Sequence, residues 1–186
     1  MPRPSSPPAV TPAALETAAL RYLERYASSV ANLRRVLMRR IERAARAGAI
    51  DREEGRARVA ALVERLRERR LVDDNTYADG RARSLSRQGR SRAAIARRLA
   101  AKGVESDAVE AALAALAEAG ETDLHAALRF AKRRRLGPFR AAKERALRRE
   151  RDLAALGRAG FSYEVARAVV DAPSADTVDP TRSPEG

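Results

Sequence analysis

Cysteine is absent from the 186 residues, which excludes disulfides and thiolate metal sites. Histidine occurs once, at His125, so no histidine cluster can hold a metal and no Ser-His-Asp arrangement is in view. Tryptophan is missing and aromatics reach only 4%, while alanine carries much of the 45% hydrophobic content. β-branched residues are sparse and no segment alternates with period two, which argues against sheets. No apolar run is long enough to span a bilayer and nothing resembles a signal peptide, so a cytoplasmic location and no membrane partner are expected. Lysine appears only at Lys102, Lys132 and Lys143, so arginine supplies nearly all of a net charge of +13.

What is present is helical. Alanine favours helix and lets helices approach closely. "VAALVERL" places Val59, Leu62, Val63 and Leu66 at relative positions 0, 3, 4 and 7. "VEAALAAL" repeats that spacing with Val109, Ala112, Leu113 and Leu116, and "VARAVVDA" with Val165, Ala168, Val169 and Ala172. Each set is one apolar stripe of a 3.6-residue period. The segments before them correspond as well. "SVANLRRVLMRR" and "SRAAIARRLAAK" align without a gap, matching Ser29 to Ser91, Leu33 to Ile95 and Leu37 to Leu99. Both serines suit a helix N-cap.

The sequence therefore predicts an all-α, elongated tandem array of three three-helix repeats, at 13–72, 73–120 and 121–172. The first repeat carries an insertion at about 41–57, in which Asp51 and Glu54 suit a capping box. Gly137 and Pro138 break a helix in the third. Residues 1–12 and 173–186, rich in proline and small polar residues, are expected to be disordered tails. Thr11 and Pro12 also suit the N-cap and first residue of the helix that follows.

The stretch "GRSRAAIARRLAAKGV" has the outline of a helix-turn-helix, which would place a reading helix in the DNA major groove. That motif buries side chains in the last turn before its glycine. Here those positions are Arg98 and Lys102, two long cations. The same pattern at 29–37 is followed by a long insertion that a helix-turn-helix does not tolerate. A repeated helical hairpin accounts for the stretch better.

The excess of arginine favours anionic partners, nucleic acid first, through steering and counterion release. The candidate contact residues are the cations outside the apolar stripes: Arg81, Arg83, Arg87, Arg90, Arg92, Arg97, Arg98 and Lys102. To these the run Lys132, Arg133, Arg134 and Arg135 is added, either as a phosphate or acidic-surface contact or as a helix end complementing its dipole. For any one of these residues an ordinary solvated face is the competing reading. Asp73 and Asp74 read as caps, since adjacent helical carboxylates diverge. Most aromatics read as packing residues, and His125 as a helix-surface residue. No catalytic, metal or cofactor constellation is visible, so the chain is expected not to be an enzyme.

"LVDDNTYADGRARSLSRQGRSRAAIARRLAAKGV" resembles the core signature of the RecX family of RecA regulators. The resemblance lies in Asp73 and Asp74, in the Tyr77-Ala78 step, in Gly89-Arg90, and in the helix ending Lys102-Gly103-Val104. "RAGFSYEVARAVV" resembles the family's closing helix through Arg158, Gly160 and Phe161, and "AALRYLERYASSVANLRRVLMRR" its opening helices. Together they cover about residues 15–171. The insertion and the strongly charged "AAKERALRRERDLAALGRAG" depart from the family's pattern and leave contacts in the first and third repeats open. The resemblance implies an all-α modulator that binds the RecA recombinase filament on single-stranded DNA, and a monomer is expected. It would suppress ATP hydrolysis, co-protease activity and strand exchange, with direct contact to single- or double-stranded DNA as a further possibility. The alternative is a basic helical DNA-binding protein acting without a recombinase.

Overall fold

The computed structural model describes residues 9–174, and among them every regular element is a helix. In chain order these are α1 (Pro12–Arg25), α2 (Val30–Arg46), α3 (Arg52–Glu68), α4 (Asp74–Arg87), α5 (Arg92–Ala100), α6 (Ser106–Glu118), α7 (Asp123–Arg134), α8 (Ala142–Arg158) and α9 (Tyr163–Val170). A short 3-10 turn, Gly137–Phe139, separates α7 from α8 where glycine and proline were expected to break the helix.

Side chains set these boundaries. Thr11 accepts from the Ala14 N–H and Pro12 opens α1. Asp51 accepts from the N–H groups of Glu53 and Glu54 at the start of α3. The expected capping box is only half made, because the Glu54 carboxylate turns instead to Arg58, one turn on. Asp73 caps α4 through the Thr76 N–H at 2.6 Å. Thr122 and His125 form a reciprocal capping box on α7, so His125 serves the helix start, a role the sequence reading did not give it.

Contacts group the described residues into two compact units. The first holds the chain up to Ala78 together with Ala101–Ala108. Its core joins Leu15 and Ala19 of α1, Leu33, Leu37 and Ile41 of α2, and Val59, Leu62, Val63 and Leu66 of α3. All four members of the first apolar stripe are thus interior. Val10 also packs into this core, and the Ala9 and Val10 carbonyls accept from Arg40 and Arg58. Of the stretch read as an N-terminal tail, residues 9–12 are therefore fastened down, while 1–8 lie outside the described residues.

The second unit comprises Asp79–Ala100 and the chain from Val109 onward. Val109, Ala112 and Leu116 are buried in α6, as are Ile95 and Leu99 in α5. Ala127, Phe130, Ala131, Leu153, Leu156, Phe161 and Val169 form the core of α7–α9, with Phe130 and Phe161 edge to face at 5.9 Å. Three of the four members of the third stripe are inward, Val169 and Ala172 buried and Val165 packed against this core. Ala168 is exposed, and Ala166 and Val170 are buried beside Val169. At the end of the chain, Arg145 donates to the carbonyls of Ala172 and Pro173, and residues 175–186 of the expected C-terminal tail lie outside the described residues.

One contact is built twice. In the first unit the fully buried Ser29 hydroxyl accepts from the Asn32 N–H and donates to the Lys102 carbonyl at 2.6 Å. Beside it, the Val30 N–H donates to Asp74 at 2.9 Å. In the second unit Ser91 accepts from the Ala94 N–H and donates to the Ala159 carbonyl at 2.9 Å, while the Arg92 N–H donates to Asp123 at 2.7 Å. A glycine follows each receiving carbonyl. Gly103 and Gly160 have φ of +75° and +91°, and a Cβ on them would meet Ala31 at 2.5 Å and Ser91 Oγ at 2.7 Å respectively. Each clasp thus combines a serine N-cap, an aspartate opening another helix, and a left-handed glycine pressed against the capped helix.

Candidate functional site

The expected cationic residues sit mainly on α4, α5 and the end of α7. On α4, Ala78, Ala82 and Leu85 face inward, which sends Arg81, Arg83 and Arg87 to solvent. Arg83 is held by Asp79 one turn earlier at 3.0 Å. No carboxylate among the described residues pairs with Arg81 or Arg87. On α5, Ile95 and Leu99 turn inward and Arg97 and Arg98 outward. The Arg97 guanidinium lies 3.2 Å from where a Cβ on Gly160 would stand, so it covers the second clasp.

Two of the expected residues are withdrawn from this surface. Arg90 is half-buried, with a buried Nε that has no hydrogen-bond partner. Arg92 is also half-buried and donates to the Leu113 carbonyl at 2.9 Å, tying α5 to α6. Beside Arg90, a Cβ on Gly89 would stand 2.8 Å from the Ala126 carbonyl and from the Phe130 nitrogen, so the α4–α5 turn lies against α7. Lys102 belongs to the first unit, where it is exposed with its ammonium 3.5 Å from the Asn32 side-chain oxygen.

Lys132, Arg133 and Arg134 occupy the last turn of α7, where cations complement the partial negative charge of the helix end. Arg134 stacks over Phe130, 5.3 Å from the ring centroid. Arg135 is the C-cap in a left-handed conformation, φ +53°, and all four cations are exposed. Because α7 packs against the end of α4, the two basic sets occupy neighbouring helices. Between them Ser86 donates to Glu121 at 2.8 Å, and Arg129 bonds the same carboxylate. Burial raises the Glu121 pKa, but the hydrogen bonds from Ser86 and Arg129 outweigh it and hold the carboxyl below its ordinary range.

The two aspartates at the start of α4 divide their roles. Asp73 caps its own helix, and the N–H and hydroxyl of Thr76 hold its pKa down. Asp74 is half-buried at the clasp, and burial pushes its pKa up against the opposing hydrogen bond from Val30. Sequence reasoning saw caps in both and missed that Asp74 serves a different helix. It could not have found the partner, since 44 residues separate them.

The sequence reading also passed over the third set of cations. Arg140 makes a two-pronged pair with Asp152, which is 1% exposed and also accepts from the Gly137 N–H. Arg149 makes a second such pair with Asp171, holding that carboxyl below its ordinary range. These arginines fasten α8 to its surroundings and are not available to a partner. No group of three or more metal-ligating side chains occurs among the described residues, and no described helix is long and apolar enough to cross a membrane.

A family model described as RecX, second three-helix domain, matches residues 73–113, which carry α4, α5 and the first half of α6. A protein of Myxococcus xanthus named Regulatory protein RecX is 45% identical over 170 residues, covering 90% of this chain and 90% of its own length. One of the same name from Agrobacterium fabrum is 39% identical over 101 residues, covering 54% of this chain and 52% of its own. No solved structure matches.

Proposed function

Since the chain belongs to the RecX family of regulatory proteins, we propose that it regulates DNA repair and recombination by binding the RecA recombinase filament on single-stranded DNA. Binding lowers the filament's ATPase, co-protease and strand-exchange activities. Three helical repeats, 13–72, 73–120 and 121–172, carry the contacts. The observation that most supports this reading is the likeness to a regulatory protein along 90% of both chains. The charge distribution agrees with it. Arg81, Arg87, Arg97 and Arg98, with Lys102 and Lys132–Arg135, remain exposed outside the internal ion pairs and suit bidentate or point contacts to carboxylates and phosphates. Individually weak contacts of this kind add through avidity on a polymer of repeated subunits.

The test is a titration of RecA's single-stranded-DNA-dependent ATPase with this protein. Inhibition at or below one protein per recombinase subunit is expected. An R97E/R98E variant should need a severalfold higher concentration. An unchanged ATPase at every ratio, with active recombinase, refutes the proposal. Tight, steeply salt-dependent binding to bare duplex in that case would mark a DNA-binding protein acting alone.

A further inference from the structure

The outer face of α8 is exposed along its length. Its inner face is set by Asp152, Leu153 and Leu156, all buried. At 100° per residue, the opposite side is occupied by Lys143, Leu147, Arg151, Ala154 and Arg158. All five are exposed, and Leu147 is 85% exposed, the most exposed large apolar side chain described. The carboxylates of α8 do not neutralise this stripe. Glu144 pairs with Arg140, Glu150 with Arg149, and Asp152 is interior. No carboxylate among the described residues pairs with Lys143, Arg151 or Arg158.

From this we infer that the outer face of α8 is a docking surface for an acidic protein segment that carries an apolar side chain at its centre. Leu147 is the anchor, and the three cations flank it over roughly 22 Å of helix. The complementarity is specific in kind. At 85% exposure Leu147 contributes little to the core of its own unit. A nucleic-acid strand would gain from the cations but little from an aliphatic side chain, and α8 itself carries no aromatic to stack. A carboxylate-bearing segment with one apolar residue satisfies both features, the cations steering it and the leucine burying on contact. The stripe also leads toward other free cations, because the Arg97 guanidinium lies beside Gly160, two residues past Arg158. On the proposed function, on which this inference rests for the identity of the partner, the acidic segment belongs to the recombinase.

The experiment measures binding of the full chain to RecA filaments assembled on poly(dT), by anisotropy, and to bare poly(dT) in parallel. The variants are Leu147→Glu, Arg151→Glu and, to match the charge change of the latter elsewhere, Arg21→Glu on α1. Since Leu147, Arg151 and Arg21 are exposed, folding is checked by an unchanged thermal midpoint. The stripe predicts that L147E and R151E each weaken filament binding at least tenfold while R21E stays within about twofold. If wild type binds filaments and both stripe variants bind equally well, the docking surface is refuted and the proposed function stands. Should R151E weaken binding to bare poly(dT) as much as to filaments, with L147E silent in both, the occupant is nucleic acid and the inference fails. No filament binding by the wild type overturns the proposed function and the assignment of this partner with it.

Discussion

Replacing Ser91 with alanine removes more than a helix cap. Its hydroxyl is fully buried, accepts from the Ala94 N–H at 3.2 Å, and donates to the Ala159 carbonyl at 2.9 Å. Loss of the cap costs about 1 kcal/mol. Leaving the half-buried Ala159 carbonyl without its donor costs a further 1–2 kcal/mol or so. The sum is roughly 2–3 kcal/mol, which for a chain of this size lowers the thermal midpoint by about 4–12 °C. Ser162→Ala is the matched comparison. That serine is exposed and only caps α9 through the Val165 N–H, so its loss should cost about 1 kcal/mol. Urea titration and thermal melting by circular dichroism measure both variants. Ser29→Ala should fall with Ser91→Ala, because its hydroxyl is equally buried and bonds the Lys102 carbonyl. If Ser91→Ala destabilises no more than Ser162→Ala does, the clasp is not a cohesive element and the reasoning fails.

Gly103→Ala should destabilise by about 1–3 kcal/mol, from a left-handed φ of +75° and a Cβ 2.5 Å from Ala31. Adding Ala31→Gly should restore the steric part but not the conformational part, which a double-mutant cycle in urea resolves. Burial raises the Asp74 pKa, so the folded state holds that proton more tightly and stability falls as pH rises from the unfolded value, about pH 4, through the folded one. Asp74→Asn keeps an acceptor for the Val30 N–H and should therefore be at least as stable as wild type at pH 7, with its advantage vanishing below about pH 4. Asp74→Ala should be the less stable of the two variants at either pH, and the reverse order in melts would refute the assignment. Arg140→Ala strands the buried Asp152 carboxylate with one N–H donor and should cost about 3–5 kcal/mol. Asp152→Asn in that background should recover part of it.

Much of the helical pattern was legible because its signals are local. The stripe Val59, Leu62, Val63, Leu66 and the gapless match of Ser29 to Ser91 each need only a 3.6-residue period and a capping hydroxyl. Where longer reach decides, the sequence was silent or misleading. The α9 stripe kept Val165, Val169 and Ala172 but lost Ala168, and the contact with α7 and α8 buries Ala166 and Val170 as well. Arg92 looked like a surface cation because its alternation with Ile95 and Leu99 left it off the stripe, but the Leu113 carbonyl, 21 residues on, draws it inward. The α8 stripe was visible as an excess of charge, and its meaning depended on which carboxylates Arg140 and Arg149 would consume.

The clasps explain why so much arginine can stay outside. Their cohesion comes from serine hydroxyls, aspartates, backbone amides and close-packed glycines, none of which needs a cation. Several of the arginines the fold does enclose meet a defined acceptor, as Arg92 does at Leu113, Arg129 at Glu121 and Arg140 at Asp152, while the buried Arg90 Nε has none. A net charge of +13 is self-repulsive in a compact chain and contributes nothing to folding. The fold leaves that charge on faces such as those of α4, α5 and α8. A polyanionic partner that bound only the folded state would stabilise it by mass action, since each carboxylate or phosphate it brought would relieve the repulsion that the free protein bears.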